Sequence, residues 1–286
     1  NTAVGNDALG ANTTGTGNVA VGASALDANT TASDNTAVGR NALGATITGH
    51  SCVAVGKSAL AANTSSFNTA VGFSAAESNT SGTSIVAIGY EALTSATNGN
   101  CVAVGYRAGK SITTGTVTAI GKQAMENATH VVRSVAVGEN ALRNLQGSSA
   151  HDNTGVGYNS LVACTTGTTN TAVGTQSLYN LTTGSHNTAV GHHALNDATT
   201  SSNNVGVGYF AGGNITDGHS NTAVGQGAML DCTTGDSNIA IGRLSLRKNV
   251  SGNSNVAIGH DAVNKMTGSN NIGIGREAMF GNSTNP

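Results

Sequence analysis

Five aromatic residues of this chain occupy one sequence position, directly after the glycine of a Val-Gly or Ile-Gly pair. They are Phe73, Tyr90, Tyr106, Tyr158 and Tyr209. If each repeat forms one coil of a stack, rings on consecutive coils lie about 5 Å apart. An exposed row of rings can stack on sugar faces or on a lipid headgroup region. The alternative is that the rings simply stabilise neighbouring coils as a ladder. We treat all five as candidate ligand-binding residues.

Other reactive groups are scattered and predict no catalytic, metal or cofactor site. The four cysteines form two pairs that lie three and four repeats apart, too far for a disulfide within one chain. His192 and His193 are the one adjacent histidine pair; neighbours in a strand face opposite ways, and no zinc-like spacing lies beside them. Gly-x-Gly phrases lack the downstream acid of a nucleotide site. We therefore expect a protein that is not an enzyme.

The elements that position these residues come from a repeat that covers the whole chain. Each unit contains a phrase such as Ala-Val-Gly, and we call its last residue the anchor glycine. Of the sixteen intervals between anchors, eleven are as long as that from Gly5 to Gly22, four are one residue shorter, and one is two residues longer. The seventeen anchors are Gly5, Gly22, Gly39, Gly56, Gly72, Gly89, Gly105, Gly121, Gly138, Gly157, Gly174, Gly191, Gly208, Gly225, Gly242, Gly259 and Gly275.

The residues before the anchor glycine predict a short strand. Thr, Val or Ile stands three before it, Ala or Gly two before, and Val or Ile one before. Side chains alternate across a strand, so the last two positions face opposite ways. We name them the alanine column and the valine column. An invariant branched residue indicates a packed core, so we expect the valine column to point inward and the alanine column outward.

A unit of about 17 residues is too short for a strand and a helix, and it fits one coil of a β-solenoid. The fold class is therefore all-β, a parallel β-solenoid of 17 coils that forms a single domain over residues 1–286. Asn stands four before the anchor in twelve units, which predicts a hydrogen-bonded asparagine ladder. Residues 84–152 have irregular intervals and lose this Asn, which indicates a disturbed zone.

The strict alanine column also predicts self-association. Each coil is poor in large side chains, so a second face is expected to be buried against another chain. We expect a homotrimer that packs through the alanine column, near Ala3, Ala20, Ala37, Ala54 and Ala70.

Composition limits the partners. Charged residues are only 9% of the chain and the net charge is −2. Without clustered Lys and Arg, nucleic acid is not expected as a partner. No apolar stretch reaches the roughly 18 residues of a membrane span, so no membrane insertion is expected.

A resemblance to known repeats rests on four phrases, each of which is followed after two residues by Ala or Ser. They are Asn18–Gly22 (NVAVG), 52–56 (CVAVG), 134–138 (SVAVG) and 255–259 (NVAIG). They resemble the head repeats of trimeric autotransporter adhesins, and they are similar to repeats of bacteriophage tail-fibre and tail-spike proteins. The resemblance implies a trimeric, left-handed parallel β-roll, and an extracellular place on a cell surface or a virion tail fibre. The adhesin coil is typically shorter than the coil of this chain, and the difference leaves the cross-section and handedness open.

The sequence therefore predicts a segment of a longer structural and adhesive fibre, with cell-surface carbohydrate or a receptor as partner. Three alternatives remain open. An ice-binding solenoid needs an unbroken Thr array, and here Thr alternates with Val and Ile three before the anchor. The other two are a polysaccharide depolymerase tail spike and a purely architectural filament without a ligand.

Overall fold

The fold is described from a computed structural model, which places residues 1–97, 99–147 and 150–280. These residues form two compact units. The first covers residues 1–140 and 146–147, and the second covers 141–145 and 150–280. Their division falls inside the zone 84–152 that the sequence marks as irregular. Because the chain divides here, each unit is described by itself.

The first unit is a parallel β-solenoid in which each repeat contributes one strand to the sheet. Each strand pairs in parallel with the strand of the next repeat, and equivalent residues lie side by side, as Ala3 does with Ala20. The nine strands are β1 Thr2–Val4, β2 Val19–Val21, β3 Thr36–Val38, β4 Val53–Val55, β5 Thr69–Val71, β6 Val86–Ile88, β7 Val102–Val104, β8 Thr114–Ile120 and β9 His130–Val137.

The second unit repeats the same architecture with greater regularity. Ala172 pairs with Ala189 in the same in-register parallel manner. All eight strands have three residues. They are β10 Thr154–Val156, β11 Thr171–Val173, β12 Thr188–Val190, β13 Val205–Val207, β14 Thr222–Val224, β15 Ile239–Ile241, β16 Val256–Ile258 and β17 Ile272–Ile274. The sequence-based prediction of an all-β parallel solenoid is thus confirmed. The described residues contain no helix, and so no helix long and apolar enough to cross a membrane.

The irregular zone differs from the other coils through its longer strands. β8 has seven residues and β9 has eight, and their pairing shifts register between Thr116 and Val117. In these coils the residues that precede the strand, which form a turn in the other coils, have strand conformation themselves.

Within each unit the anchor glycines lie against one another from coil to coil. Gly22 has a φ of +136°, a conformation that side-chain-bearing residues rarely adopt. A Cβ atom on Gly22 would lie 2.6 Å from the carbonyl oxygen of Gly39, which is closer than real contacts. The repeat therefore needs glycine for two reasons, its φ and the close approach of two backbones.

The expected directions of the alanine and valine columns are wrong. Ala20, Ala37, Ala54 and Ala70 are fully buried inside the coil, whereas most valine-column side chains are about 36–40% exposed. A second buried position, four after the anchor, carries Leu in most coils, such as Leu26 and Leu43.

The interior explains why the alanine column is small. Gly206 stands in this column, and a Cβ atom there would lie 2.8 Å from Cγ of Leu195 in the preceding coil. At this coil the leucine leaves no room even for a Cβ atom, and in the neighbouring coils the column carries nothing larger than Ala.

The predicted asparagine ladder is confirmed. The backbone N–H of Asn187 donates to Oδ1 of Asn170 at 3.0 Å, and Asn204 repeats this bond to Asn187. The Asn187 amide also donates to the carbonyl of Ser201 at 2.9 Å. Asn187 thus bonds to the coils before and after its own.

Candidate ligand-binding surfaces

Three of the five predicted aromatic residues form a stacked ladder on the first unit. The ring centroids of Phe73 and Tyr90 lie 5.2 Å apart, and those of Tyr90 and Tyr106 lie 5.4 Å apart, both at an interplanar angle of 11°. The residue after the anchor points outward, and each of these side chains is about 40% exposed. We call Phe73, Tyr90 and Tyr106 the aromatic ladder.

The faces of the ladder rings are largely covered. Within the ladder each ring faces the next, and Nζ of Lys57 lies 5.2 Å from the Phe73 centroid. At the other end, the Arg107 guanidinium lies 5.1 Å from the Tyr106 centroid. These are cation–π distances. The ladder therefore offers ring edges to solvent, and stacking a sugar on a ring face would require a cation to move.

Ion pairs hold Arg107 in this position. Its Nε lies 3.0 Å from Glu91 and its Nη1 lies 3.7 Å from Glu126. Lys110 pairs with the same Glu91 at 2.7 Å, and this hydrogen bond is the main cause that lowers the pKa of Glu91. Glu91 stays ionised at neutral pH, so the arrangement acts as structural support for the ladder.

The other two predicted residues do not belong to this ladder. Tyr158 is 48% exposed and has no ring contact among the described residues. Tyr209 is 52% exposed and lies in a separate cluster of the second unit. The structure therefore divides the five predicted residues among three places.

The cluster around Tyr209 also contains residues that the sequence analysis missed. Tyr209 stacks on His192 at 5.5 Å, and Phe210 stacks on His193 at 4.6 Å. We call these four residues the ring cluster. The expectation that His192 and His193 face apart is wrong, because both lie in a turn and their centroids are 4.1 Å apart. The sequence does contain a signal for this cluster, because residues 209–210 stand one repeat after residues 192–193.

A cavity of about 340 Å³ opens beside the ring cluster. We call it the Gly227 pocket. Most of its wall is apolar, with two amide side chains and the Tyr209 hydroxyl as the polar groups. Its lining residues are Tyr209, Phe210, Asn214, Gln226, Gly227, Leu230 and Leu244.

The first unit has a groove at comparable positions of its coils, with a different lining. It encloses about 690 Å³ among Asn41, Gly44, Ala45, Ala61, Ala62, Glu77, Ser78 and Thr80. No aromatic or large aliphatic side chain contributes to it. This groove therefore lacks the apolar walls with which a ligand of moderate size is held.

The cysteine thiols are structural. All four are free and buried. Burial raises the pKa of Cys164 to about 12 and that of Cys232 to about 11, so neither forms a reactive thiolate at neutral pH. Cys52 fills an asparagine position of the ladder, and its backbone N–H donates to Oδ1 of Asn35 at 2.9 Å.

Across residues 1–97, 99–147 and 150–280, no three His, Cys, Asp or Glu side chains come together as metal ligands.

Comparison of the chain with protein-family models, with curated proteins and with solved structures gives no match in any of the three.

Proposed function

We propose that this chain is a structural and adhesive fibre segment that assembles as a homotrimer of left-handed coils and presents weak, repeated surfaces to cell-surface glycans or receptors. The observation that carries the proposal is the outward direction of the valine column. The trimer and the handedness follow the resemblance to the adhesin repeats, with the packing surface changed from the alanine to the valine column.

The exposed valine column forms an apolar strip along the sheet of each unit. In the first unit Val21, Val38, Val55 and Val71 follow one another with 36–37% of each side chain exposed. In the second unit Val173 and Val190 are 37% and 38% exposed, and Ile241 is 40% exposed. A contiguous apolar strip on a protein surface marks an interaction site.

A second row of side chains makes this face flat. The residue three before the anchor points the same way as the valine column and is half-buried in most coils, as Thr171 and Thr188 are. A flat face of Val, Ile and Thr with in-register strands suits packing against an identical face. Because the same strip recurs in every coil, packing of identical chains would bury it along its length.

The coil structure supports the mechanical part of the proposal. Within each unit every coil bonds to the next through its strand and through its turn, as Leu178 N–H does to the Ala194 carbonyl at 3.0 Å. The asparagine ladder adds bonds inside the coil. A unit bonded in this way resists bending, and a trimer would multiply weak contacts through multivalency.

The trimer is tested by the mass of the protein in solution. We expect size-exclusion chromatography with light scattering to give three times the chain mass of 28.1 kDa. The double variant Val173→Lys/Val190→Lys puts two charges on the strip without filling the interior, and we expect it to be a monomer with an unchanged circular dichroism spectrum.

Gln176→Lys is the matched control, because Gln176 lies two residues after the anchor in the same unit and outside the strip. We expect it to remain a trimer. A wild-type chain that is monomeric at micromolar concentration contradicts the proposal, as does a trimer that both lysines leave intact.

A further inference from the structure

We infer that the Gly227 pocket binds one neutral pyranose residue that carries an acetamido group, such as an N-acetylhexosamine of a glycan. This inference rests on the adhesive part of the proposed function and gives it a site and a ligand class. Its parts are a notch in a column of side chains, two aromatic rings in the lining, two free side-chain amides and the absence of charge from the lining.

The notch comes from one missing side chain. The residues two after the anchors of three consecutive coils are Phe210, Gly227 and Leu244. Their φ angles are +53°, +62° and +54°, so all three have the same backbone conformation. Phe210 and Leu244 show that this position accepts a large side chain. Glycine at 227 is therefore not required by the turn, and its effect is to leave a space between two apolar walls.

Nothing in the fold would prevent a side chain from filling that space. A Cβ atom on Gly227 would meet only Cδ2 of Leu244, at 2.8 Å, and this atom ends a flexible side chain. Across the turn, Leu230 closes the pocket on its third side. The result is a cleft of about 340 Å³, near the lower end of the range for small-molecule sites and suited to a single sugar residue.

Two aromatic rings line the cleft. His193, one coil before, covers one face of Phe210 at 4.6 Å, and His192 covers one face of Tyr209 at 5.5 Å. The next coil holds Gln226 and Gly227 at these positions, so neither ring is stacked against a ring of that coil. Phe210 and Tyr209 meet edge to face at 4.8 Å and 80°. This differs from the aromatic ladder, whose ring faces are covered.

The polar groups at the rim suit hydroxyl and acetamido groups. The amides of Asn214 and Gln226 have no hydrogen-bond partner within the described part of the chain. Each offers two donors and one acceptor oxygen, which can pair with vicinal hydroxyls or with an amide. Tyr209 also lines the pocket, and its hydroxyl is both a donor and an acceptor. The apolar wall of the cleft beside these groups accommodates the acetamido methyl.

The charge around the pocket favours a neutral ligand. None of the seven lining residues is charged at neutral pH. Arg243, the nearest basic residue in the column after the anchor, bonds to Nε2 of His260 at 2.8 Å, away from the cleft. Asp231 pairs with Arg247 at 3.7 Å. An acidic or basic ligand would therefore find no counter-charge in the lining.

The test is a titration of the full chain with methyl glycosides of N-acetylglucosamine and N-acetylgalactosamine, followed by saturation-transfer NMR and calorimetry. Methyl glucoside and methyl galactoside lack the acetamido group and serve as matched ligands. We expect at least one acetamido sugar to bind with a Kd on the order of 1 mM, and at least tenfold more tightly than its matched ligand.

Gly227→Leu fills the notch and is expected to weaken sugar binding at least tenfold. Gln176→Leu is the matched control, because Gln176 occupies the same position of another coil with a φ of +54°. It should bind the sugars as the wild type does. Asn214→Ala tests the rim without changing the backbone, and we expect a fivefold or greater loss.

Three results would overturn the inference: no binding of either acetamido sugar, binding of an apolar probe such as indole alone, or sugar binding that Gly227→Leu leaves unchanged. Light scattering on the same samples separates this test from that of the trimer. A monomer that binds the sugar contradicts the trimer alone, and a trimer that binds no sugar contradicts the pocket alone.

Discussion

The two units differ in where their regularity lies. In the first unit the surface carries an unbroken row of three stacked rings, while the asparagine column inside is interrupted by Cys52, Ile85, Cys101, Val117 and Ser134. In the second unit the column inside is complete. Its eight members are Asn153, Asn170, Asn187, Asn204, Asn221, Asn238, Asn255 and Asn271. There the surface is the irregular part, since a glycine interrupts a column of large side chains and opens a pocket.

This difference shows which part of the coil is constrained. The residue types at the interior and surface positions of the coil differ from repeat to repeat. The anchor residue is glycine in every repeat of both units. The anchors set the spacing and register of the coils, and the columns on either side can then change independently. A row of similar aromatic side chains on consecutive coils gives a ladder in which each ring covers the face of the next. One missing side chain in such a row gives a concave site.

Changing an anchor glycine is expected to have the largest effect. In Gly89→Ala, at φ +138°, the new Cβ would lie 2.3 Å from the Gly105 carbonyl oxygen. In Gly208→Ala, at φ +132°, the nearest atom is the Gly225 carbonyl carbon at 2.8 Å. We expect Gly89→Ala to lower the free energy of unfolding by about 3–5 kcal/mol, and Gly208→Ala to have a smaller effect.

Urea unfolding followed by circular dichroism measures both effects. Gly268→Ala is the control, because a Cβ atom there would meet nothing closer than Nδ2 of Asn271 at 3.7 Å. It should change stability by less than about 0.5 kcal/mol. If Gly89→Ala is as stable as the control, glycine does not stack on glycine between the coils.

A smaller effect is expected in the asparagine column, and it compares the two interiors directly. Asn187→Ala leaves the N–H of Asn204 and the carbonyl of Ser201 without their side-chain partner. We expect a loss of about 2–4 kcal/mol, because both groups are buried. In Cys101→Ala only a weak thiol contact to the Gly115 carbonyl at 3.4 Å is lost, and about 1 kcal/mol is expected.

The stability losses of Asn187→Ala and Cys101→Ala can be compared from the urea concentrations at the unfolding midpoints. This requires that the free energy of unfolding falls with urea at the same slope in both variants. Equal losses would mean that the complete column does not stabilise the second unit more than the interrupted column stabilises the first. A loss confined to Asn187→Ala would show that the amide bonds between coils, and not side-chain volume, account for the difference.

The sequence predicts the period, the strand and the asparagine ladder, because each depends on neighbouring repeats alone. It does not predict which strand face is buried. Alternation shows that Ala20 and Val21 face apart, but the direction depends on what lies across the coil. A leucine such as Leu195 occupies that space, and opposite it Gly206 has no room even for a Cβ atom. A branched residue is equally suited to a flat surface that another chain covers.

The Gly227 pocket illustrates a second limit of prediction from the sequence. Phe210, Gly227 and Leu244 can be aligned from the sequence, and the gap between two large apolar residues is visible there. Its meaning depends on the backbone conformation at 227, since a glycine that the turn requires would indicate nothing about a ligand. Only the shared positive φ of the three residues shows that the position accepts a side chain.

The smallest effect expected is that of the aromatic ladder, and it distinguishes stacking from simple exposure. Tyr90 stacks on rings at both sides, so Tyr90→Ala is expected to lower the free energy of unfolding by about 1–2 kcal/mol. Tyr158→Ala is the control, because Tyr158 is similarly exposed and has no ring contact in the described part of the chain. Its effect should stay below about 0.5 kcal/mol.

A double-mutant cycle of Phe73→Ala and Tyr90→Ala then isolates the stacking itself. We expect a coupling energy of about 0.5–1.5 kcal/mol from urea unfolding. A coupling near zero would mean that the rings lie side by side without stabilising each other. A measurable coupling assigns the ladder to stability and leaves the Gly227 pocket of the second unit as the surface proposed for recognition.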